Sequence, residues 1–129
     1  MPNAGKRSIG AYGHMRAEGL RKGMLDLVLP APIGPFGSCI IEHKVDTDPT
    51  AEQLDWARAL AHMGNAVTFS TSFEHSREFL VAYCSGENVV GIWRKFERRA
   101  CIRDICLELD GAMAHRISER MRKHELVAA

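Results

Sequence analysis

Two short apolar runs stand close together in this chain, and the loop between them cannot be helical. The first is Leu25-Asp26-Leu27-Val28-Leu29-Pro30, and the second is Ser38-Cys39-Ile40-Ile41-Glu42-His43-Lys44-Val45. Between them, Pro30 to Gly37 holds three prolines and two glycines, which removes backbone donors and favours turns. Short apolar runs bounded by turn formers predict two strands joined by an irregular loop. Residues two apart on a strand project from one face, so Glu42 and Lys44 share a face with Ile40. Cys39, Ile41, His43 and Val45 face the other way. Both faces are largely apolar, which predicts a central strand covered on both sides.

Charges on such a strand are costly unless they are paired or hold a metal. Asp26 on one strand and Glu42-x-Lys44 on its neighbour suit a divalent cation and an activated water. Hydrolysis of a phosphodiester needs an acidified water, neutralised phosphate charge and a stabilised leaving oxygen, and a divalent cation serves all three. Mg²⁺ takes oxygen ligands and keeps several waters, so two carboxylates suffice. Asp26 and Glu42 are the candidate ligands, the His43 backbone carbonyl is a candidate third, and Lys44 is the candidate residue orienting the water. Asp26 as a turn cap, with Glu42 and Lys44 as a solvated face, is the plain alternative.

The rest of the chain supplies helices for such a sheet. Residues 2–7 read as a loop, and Ser8 to Leu20 as a short helix weakened by three glycines. Arg16, Arg21 and Lys22, close before Asp26, are candidate phosphate contacts. Thr50-Ala51-Glu52-Gln53 has the form of a capping box. It opens a helix to about Met63, with Leu54, Ala57, Leu60 and Ala61 inward and Gly64 as its stop. Asn65 to Ser70 predicts a third strand. Thr71 or Ser72 then caps a helix from Phe73 to about Tyr83, with Phe79, Leu80 and Tyr83 inward. From Val89 onward the pattern is helical, with Trp93 and Phe96 as a first apolar pair. Ile102, Ile105, Leu109, Met113, Ile117 and Met121 recur at spacings of three or four, with Gly111 as a weak point. The opposite face carries Arg99, Arg103, Glu108, Arg116, Arg120 and Lys123.

A chain of 129 residues fits one domain with a real core. The formal net charge is only +1, yet it is unevenly spread. Residues 25–89 hold nine acidic and three basic side chains, whereas residues 90–129 hold six acidic and nine basic. That pattern suits a carboxylate-rich cation site beside basic surfaces for a polyanion. No apolar run approaches the ~18 residues of a membrane span. Met1 to Arg7 lacks the apolar stretch of a secretory signal, so a cytoplasmic protein is expected. Cys39, Cys84, Cys101 and Cys106 form no C-x-x-C pair and are expected as free buried thiols. The spacing of Cys101, Cys106 and His115 matches no standard zinc pattern.

Several pieces of the chain resemble the VRR-NUC nucleases of the PD-(D/E)xK superfamily, which are common in bacteriophages. Lys22-Gly23-Met24-Leu25-Asp26-Leu27-Val28-Leu29-Pro30 is similar to their "KGxPDLxLP" strand, and Ile41-Glu42-His43-Lys44 to their "IExK" strand. Thr50-Ala51-Glu52-Gln53-Leu54-Asp55-Trp56, with Leu60 and Gly64, resembles their "SxEQxxWxxxLxxxG" helix. Pro2 to Arg7 and Ala17 to Leu20 resemble the "PNGGxR" and "AEGV" pieces. The likeness spans about residues 2–83. It implies a restriction-endonuclease-like α/β fold, a mixed central sheet flanked by helices, and Mg²⁺- or Mn²⁺-dependent cleavage of DNA. It carries metal binding onto Asp26 and Glu42, catalysis onto Lys44, and an assisting role onto Gln53. Small stand-alone members resemble junction resolvases and pair as dimers, which makes branched DNA the expected substrate and a homodimer the expected assembly.

The chain departs from that family in three places. Leu25 stands where the family has the proline before the Asp, a residue that is not a ligand, and Ala4 stands for a glycine of "PNGG". The family's first helix, which carries a glutamate near the metal, normally precedes the "PNGG" loop, and this chain starts at the loop. Residues 1–88 are therefore expected as the nuclease core. Residues 89–129 are expected as a helical extension, packed on the core or on a dimer partner, that takes the place of the first helix. The competing expectation is a catalytically impaired DNA-binding or assembly protein that retains the fold.

Overall fold

The computed structural model describes residues 26–128, with side chains up to His124. The expected helix Ser8–Leu20, the phosphate-contact candidates Arg16, Arg21 and Lys22, and the "PNGG"- and "AEGV"-like pieces lie outside the described residues.

The described chain is mixed α/β: a three-stranded sheet with three α-helices. Strand β1 (Leu27–Leu29) pairs antiparallel with β2 (Cys39–His43), and β2 pairs parallel with β3 (Ala66–Ser70), in the order β1-β2-β3. Strand β2 is central, as its two apolar faces predict. Both hairpin strands are shorter than the apolar runs that signal them. Pro30 follows the end of β1. The Lys44 N–H makes one further bond to the Ser70 carbonyl at 2.7 Å before the chain bends away at Val45. Lys44 thus sits just past the strand, still attached to the sheet. The loop between β1 and β2 closes on itself through an Ile33–Phe36 bridge.

Helix α1 (Ala51–His62) makes the crossover from β2 to β3. Its capping box is complete: Thr50 Oγ1 accepts from Gln53 N at 3.1 Å, and Gln53 Oε1 accepts from Thr50 N at 2.9 Å. Gly64 ends the turn after it at φ +100°, a conformation that favours glycine. Helix α2 (Phe73–Cys84) is capped by Ser72, whose hydroxyl accepts from His75 N at 3.1 Å. Phe79 and Tyr83 are buried along it, and so is His75.

The helical pattern seen from Val89 does not begin there. Ile92–Lys95 is one 3-10 turn, the segment to Arg99 is irregular, and helix α3 runs Ala100–Ala128. Gly91, at φ +83°, turns the chain back. Asp110 of α3 then fastens that turn, accepting from Trp93 Nε1 at 2.7 Å and from Gly91 N at 3.3 Å. Trp93 is therefore tied to the side of α3 through Asp110, while Phe96 stacks on His75 of α2, and neither belongs to α3. Gly111 does not interrupt the helix.

Ile102, Ile105, Leu109 and Met113 join Ile40, Val67, Phe69, Ala57 and Phe79 in one core. The C-terminal stripe is thus docked on the sheet itself. It fades at its far end, since Ile117 is half-buried and Met121 is exposed. Ser70 C=O points toward β2, so the neighbouring Phe69 C=O points to the open edge of β3. There it accepts from the Cys106 thiol at 3.4 Å. Burial pushes that thiol up to about 11, so it keeps its proton and remains a donor. Covering an edge strand with a helix blocks pairing with another chain. All four cysteines are free; Cys39 and Cys106 are buried as expected, whereas Cys84 and Cys101 are exposed. Among the described residues, no helix is long and apolar enough to cross a membrane.

Candidate active site

Glu42 is the least ordinary residue of the sheet. It lies on the central strand with only 2% of its surface exposed. Its Oε2 accepts from Gln53 Nε2 at 3.1 Å, while Oε1 is buried and has no hydrogen-bond partner among the described residues. Gln53 is itself fully buried. Its amide oxygen closes the capping box and its amide nitrogen holds Glu42, so one side chain sets both the helix start and the carboxylate. The capping-box reading of Gln53 holds, and the same side chain also meets Glu42.

Asp26 approaches from the neighbouring strand. It sits in the bend just before β1, exposed, and its Oδ2 accepts from the His43 backbone N–H at 2.9 Å. This bond ties the start of β1 to the end of β2 and brings a second carboxylate near enough for its charge to act on Glu42. The electrostatics record the crowding. Burial chiefly, and then the Asp26 charge, push Glu42 up to about 7, against the opposing pulls of Lys44 and of the nearby Asp26 backbone N–H. Lys44 extends past the strand end, and its Nζ reaches Thr47 Oγ1 at 3.5 Å. The candidate residues Asp26, Glu42, His43, Lys44 and Gln53 are therefore gathered at one end of β2.

The donors present suit a hard divalent cation. Glu42 offers a buried oxygen without a partner, Asp26 carries a second oxygen beyond the one used by His43, and carboxylate and carbonyl oxygens are the ligands Mg²⁺ and Mn²⁺ take. A cation there would also offset the burial and the Asp26 charge that raise Glu42. The set is small, however. Among the described residues, no group of three or more His, Cys, Asp or Glu side chains is arranged to hold a metal. Cys101 is exposed and Cys106 is buried against Phe69, so with His115 they make no zinc site.

Behind β2 lies a hydrogen-bonded series that the sequence reading passed over. His43 Nδ1 is 3.3 Å from Ser76 Oγ, which donates to Ser70 Oγ at 2.8 Å, which in turn donates to the Ser72 carbonyl at 2.8 Å. These bonds join the His43 side chain to α2, on the face opposite Glu42.

Two further residues have roles that the sequence does not signal. Glu97 is fully buried, 2.6 Å from His75 Nδ1, and accepts from both the Thr71 N–H (2.9 Å) and its hydroxyl (2.6 Å). Burial pushes the Glu97 carboxyl up, but the bonds from His75 and Thr71 outweigh it and leave it below the usual range. His75 was findable, since it precedes Phe79 and Tyr83 on the inward stripe of α2. Glu97 was not, because it stands in the charged run Arg94-Lys95-Phe96-Glu97-Arg98-Arg99, which reads as surface.

Arg99 is the other. It was read as part of the basic face of a helix, and it lies before α3. Its guanidinium folds over the loop after Lys44, reaching the carbonyls of Lys44, Val45 and Thr47 and the Asp48 carboxylate. Other members of that supposed basic face also have intramolecular tasks. Arg116 donates to the Pro35 carbonyl, Arg120 to the Gly34 carbonyl, and Glu108 takes the Arg58 guanidinium.

Comparison with protein-family models, with curated proteins and with solved structures gives no match for this chain.

Proposed function

We propose that this chain is a divalent-metal-dependent endonuclease of the VRR-NUC type, with a restriction-endonuclease-like fold, that hydrolyses DNA phosphodiester bonds. One observation carries the reading: Glu42 is a carboxylate buried on a central strand, held through one oxygen by Gln53, with its other oxygen unpartnered among the described residues. A buried oxygen left without a hydrogen bond is costly, and cation coordination is the simplest use for it. Asp26 beside it and Lys44 two residues on supply the remaining parts of the proposed site.

In this reading Asp26, Glu42 and the His43 carbonyl hold Mg²⁺ or Mn²⁺, which when bound acidifies water and offsets phosphate charge. Gln53 fixes the Glu42 carboxylate in one orientation. Lys44, on the last sheet-bonded residue, orients the attacking water and balances the negative charge that builds on the phosphate. The DNA substrate is proposed as branched, the working unit as a homodimer, and the setting as the cytoplasm of a bacterium or phage-infected host.

A second reading is a DNA-binding or assembly protein that retains the fold without catalysis. The small ligand set favours it, because the carboxylates described number only two at the site. Labelled linear, nicked and four-way-junction DNA, incubated with Mg²⁺, Mn²⁺ or EDTA, separates the two. The nuclease reading expects metal-dependent cutting that Asp26→Ala and Lys44→Ala abolish while DNA binding persists with Lys44→Ala. A folded wild-type protein that binds DNA and never cuts it supports the second reading.

A further inference from the structure

Arg99 reaches the Lys44 loop from a part of the chain beyond the span that resembles the nuclease family. Residues 45–48 form no regular structure, and the loop must be fixed by something other than a ladder. Arg99 Nη1 lies 3.4 Å from the Lys44 carbonyl and 3.3 Å from that of Val45. Its Nη2 lies 2.7 Å from the Thr47 carbonyl and 2.5 Å from Asp48 Oδ1. The rigid planar fork of a guanidinium can meet several acceptors at once, which an ammonium cannot do in the same geometry.

Thr47 carries this restraint to the chemistry. The same residue whose carbonyl Arg99 holds presents its hydroxyl to Lys44 Nζ at 3.5 Å. Glu97, two residues before Arg99, is locked onto Thr71 just past the end of β3. One short segment therefore fastens the C-terminal ends of both β2 and β3, and Arg99 is anchored before it grips the loop.

We propose that Arg99 is a positioning residue for the nuclease reaction, which sets the 44–48 loop, and through Thr47 the Lys44 ammonium, in its working place. The proposal rests on the nuclease reading and adds to it a residue outside the catalytic motif. A misplacement of about 1 Å in a catalytic group costs on the order of 100-fold in rate. Arg99→Ala is therefore expected to lower kcat by roughly 10- to 100-fold while the Kd for DNA, measured with EDTA present, stays within about twofold. Arg99→Lys restores the charge and not the fork, so it recovers little of the loss. Thr47→Val removes only the hydroxyl and is expected to give a smaller loss of the same kind.

The test pairs cleavage kinetics with amide hydrogen exchange at residues 45–48. Faster exchange there in Arg99→Ala, with kcat lowered and DNA affinity kept, supports the proposal. Wild-type kcat in Arg99→Ala overturns it, as does full rescue by Arg99→Lys. A loss confined to DNA affinity also overturns it and makes Arg99 a phosphate contact. A wild-type protein that cuts no DNA defeats the nuclease reading itself and takes the proposal with it, an outcome distinct from an active wild type whose Arg99→Ala variant is unaffected.

Discussion

Gln53 Nε2 donates to Glu42 Oε2 across 3.1 Å, while Gln53 Oε1 accepts the backbone N–H of Thr50. One buried amide thus starts helix α1 and orients the sheet carboxylate. Replacing Gln53 with Ala removes half of a capping box and leaves Glu42 Oε2 unpaired in the interior. The expected loss is about 2 kcal/mol of folding stability. Gln53→Glu is expected to be worse near neutral pH, since it sets a second carboxyl against Glu42. Urea unfolding of the two variants checks the order, and a silent Gln53→Ala would show that the bond contributes nothing.

Glu42 gives stability a pH dependence of definite sign. Its folded carboxyl titrates at about 7, against an ordinary value of 4.5. Between those values the folded chain keeps a proton that the unfolded chain has released. The folded state binds more protons, so stability falls as pH rises through this window, by up to about 3 kcal/mol. Glu97 works the other way. Its folded carboxyl is depressed, so its contribution is present above the unfolded value and is lost in acid. Unfolding of wild type and Glu42→Gln at pH 5 and pH 7.5 isolates the first effect. The variant is expected to lose the decline, and parallel behaviour of the two proteins would count against a raised Glu42.

A divalent cation must compete with that same proton. With Glu42 titrating near 7, the affinity for Mg²⁺ is expected to be about tenfold higher at pH 8 than at pH 6. Added Mg²⁺ then raises Tm more at the higher pH, by mass action on the folded state. Asp26→Asn should reduce the gain and Glu42→Gln should remove it. An equal gain at both pH values, or one that survives in Glu42→Gln, would place the cation elsewhere.

What could be read in advance divides along physical lines. The capping box at Thr50, the stop at Gly64, the central place of β2 and the stripe Ile102–Met113 depend on local turn chemistry and on periodicity, and both are written in neighbouring residues. The extent of α3 was misread because Trp93 and Phe96 continue its spacing by chance. The break is made by Gly91 and by a bond from Trp93 to Asp110, seventeen residues away. Asp26, Glu42 and Lys44 stood out because charges interrupt apolar runs. Glu97 and Arg99 did not, because a charge in a charged segment carries no sign of burial or of reach. Only the folded chain sets Glu97 against His75, and Arg99 against a loop more than fifty residues earlier.

The buried pair His75–Glu97 is expected to be asymmetric under mutation. Glu97→Ala leaves His75, fully buried, and the half-buried Thr71 N–H and hydroxyl without their common acceptor. The expected loss is about 3 kcal/mol, the upper range for leaving buried hydrogen-bonding groups unpaired. Glu97→Gln keeps an acceptor and the shape, and should lose less. Thermal unfolding ranks the two, and equal losses would mean that packing, and not the hydrogen bonds, holds this corner.

Helix α3 belongs to the same core as the sheet, and its stripe should behave accordingly. Ile102 is fully buried with Val67 and Phe69 in that core, whereas Met121 is 59% exposed. Ile102→Ala opens a cavity and is expected to cost about 3 kcal/mol. Met121→Ala should change stability by less than about 0.5 kcal/mol. The unfolding transition of Ile102→Ala should stay single, with α-helical and near-ultraviolet signals lost together, because α3 has no separate core to retain. Two transitions, with helix outlasting the sheet, would instead make residues 100–128 an independent unit that leans on the core without completing it.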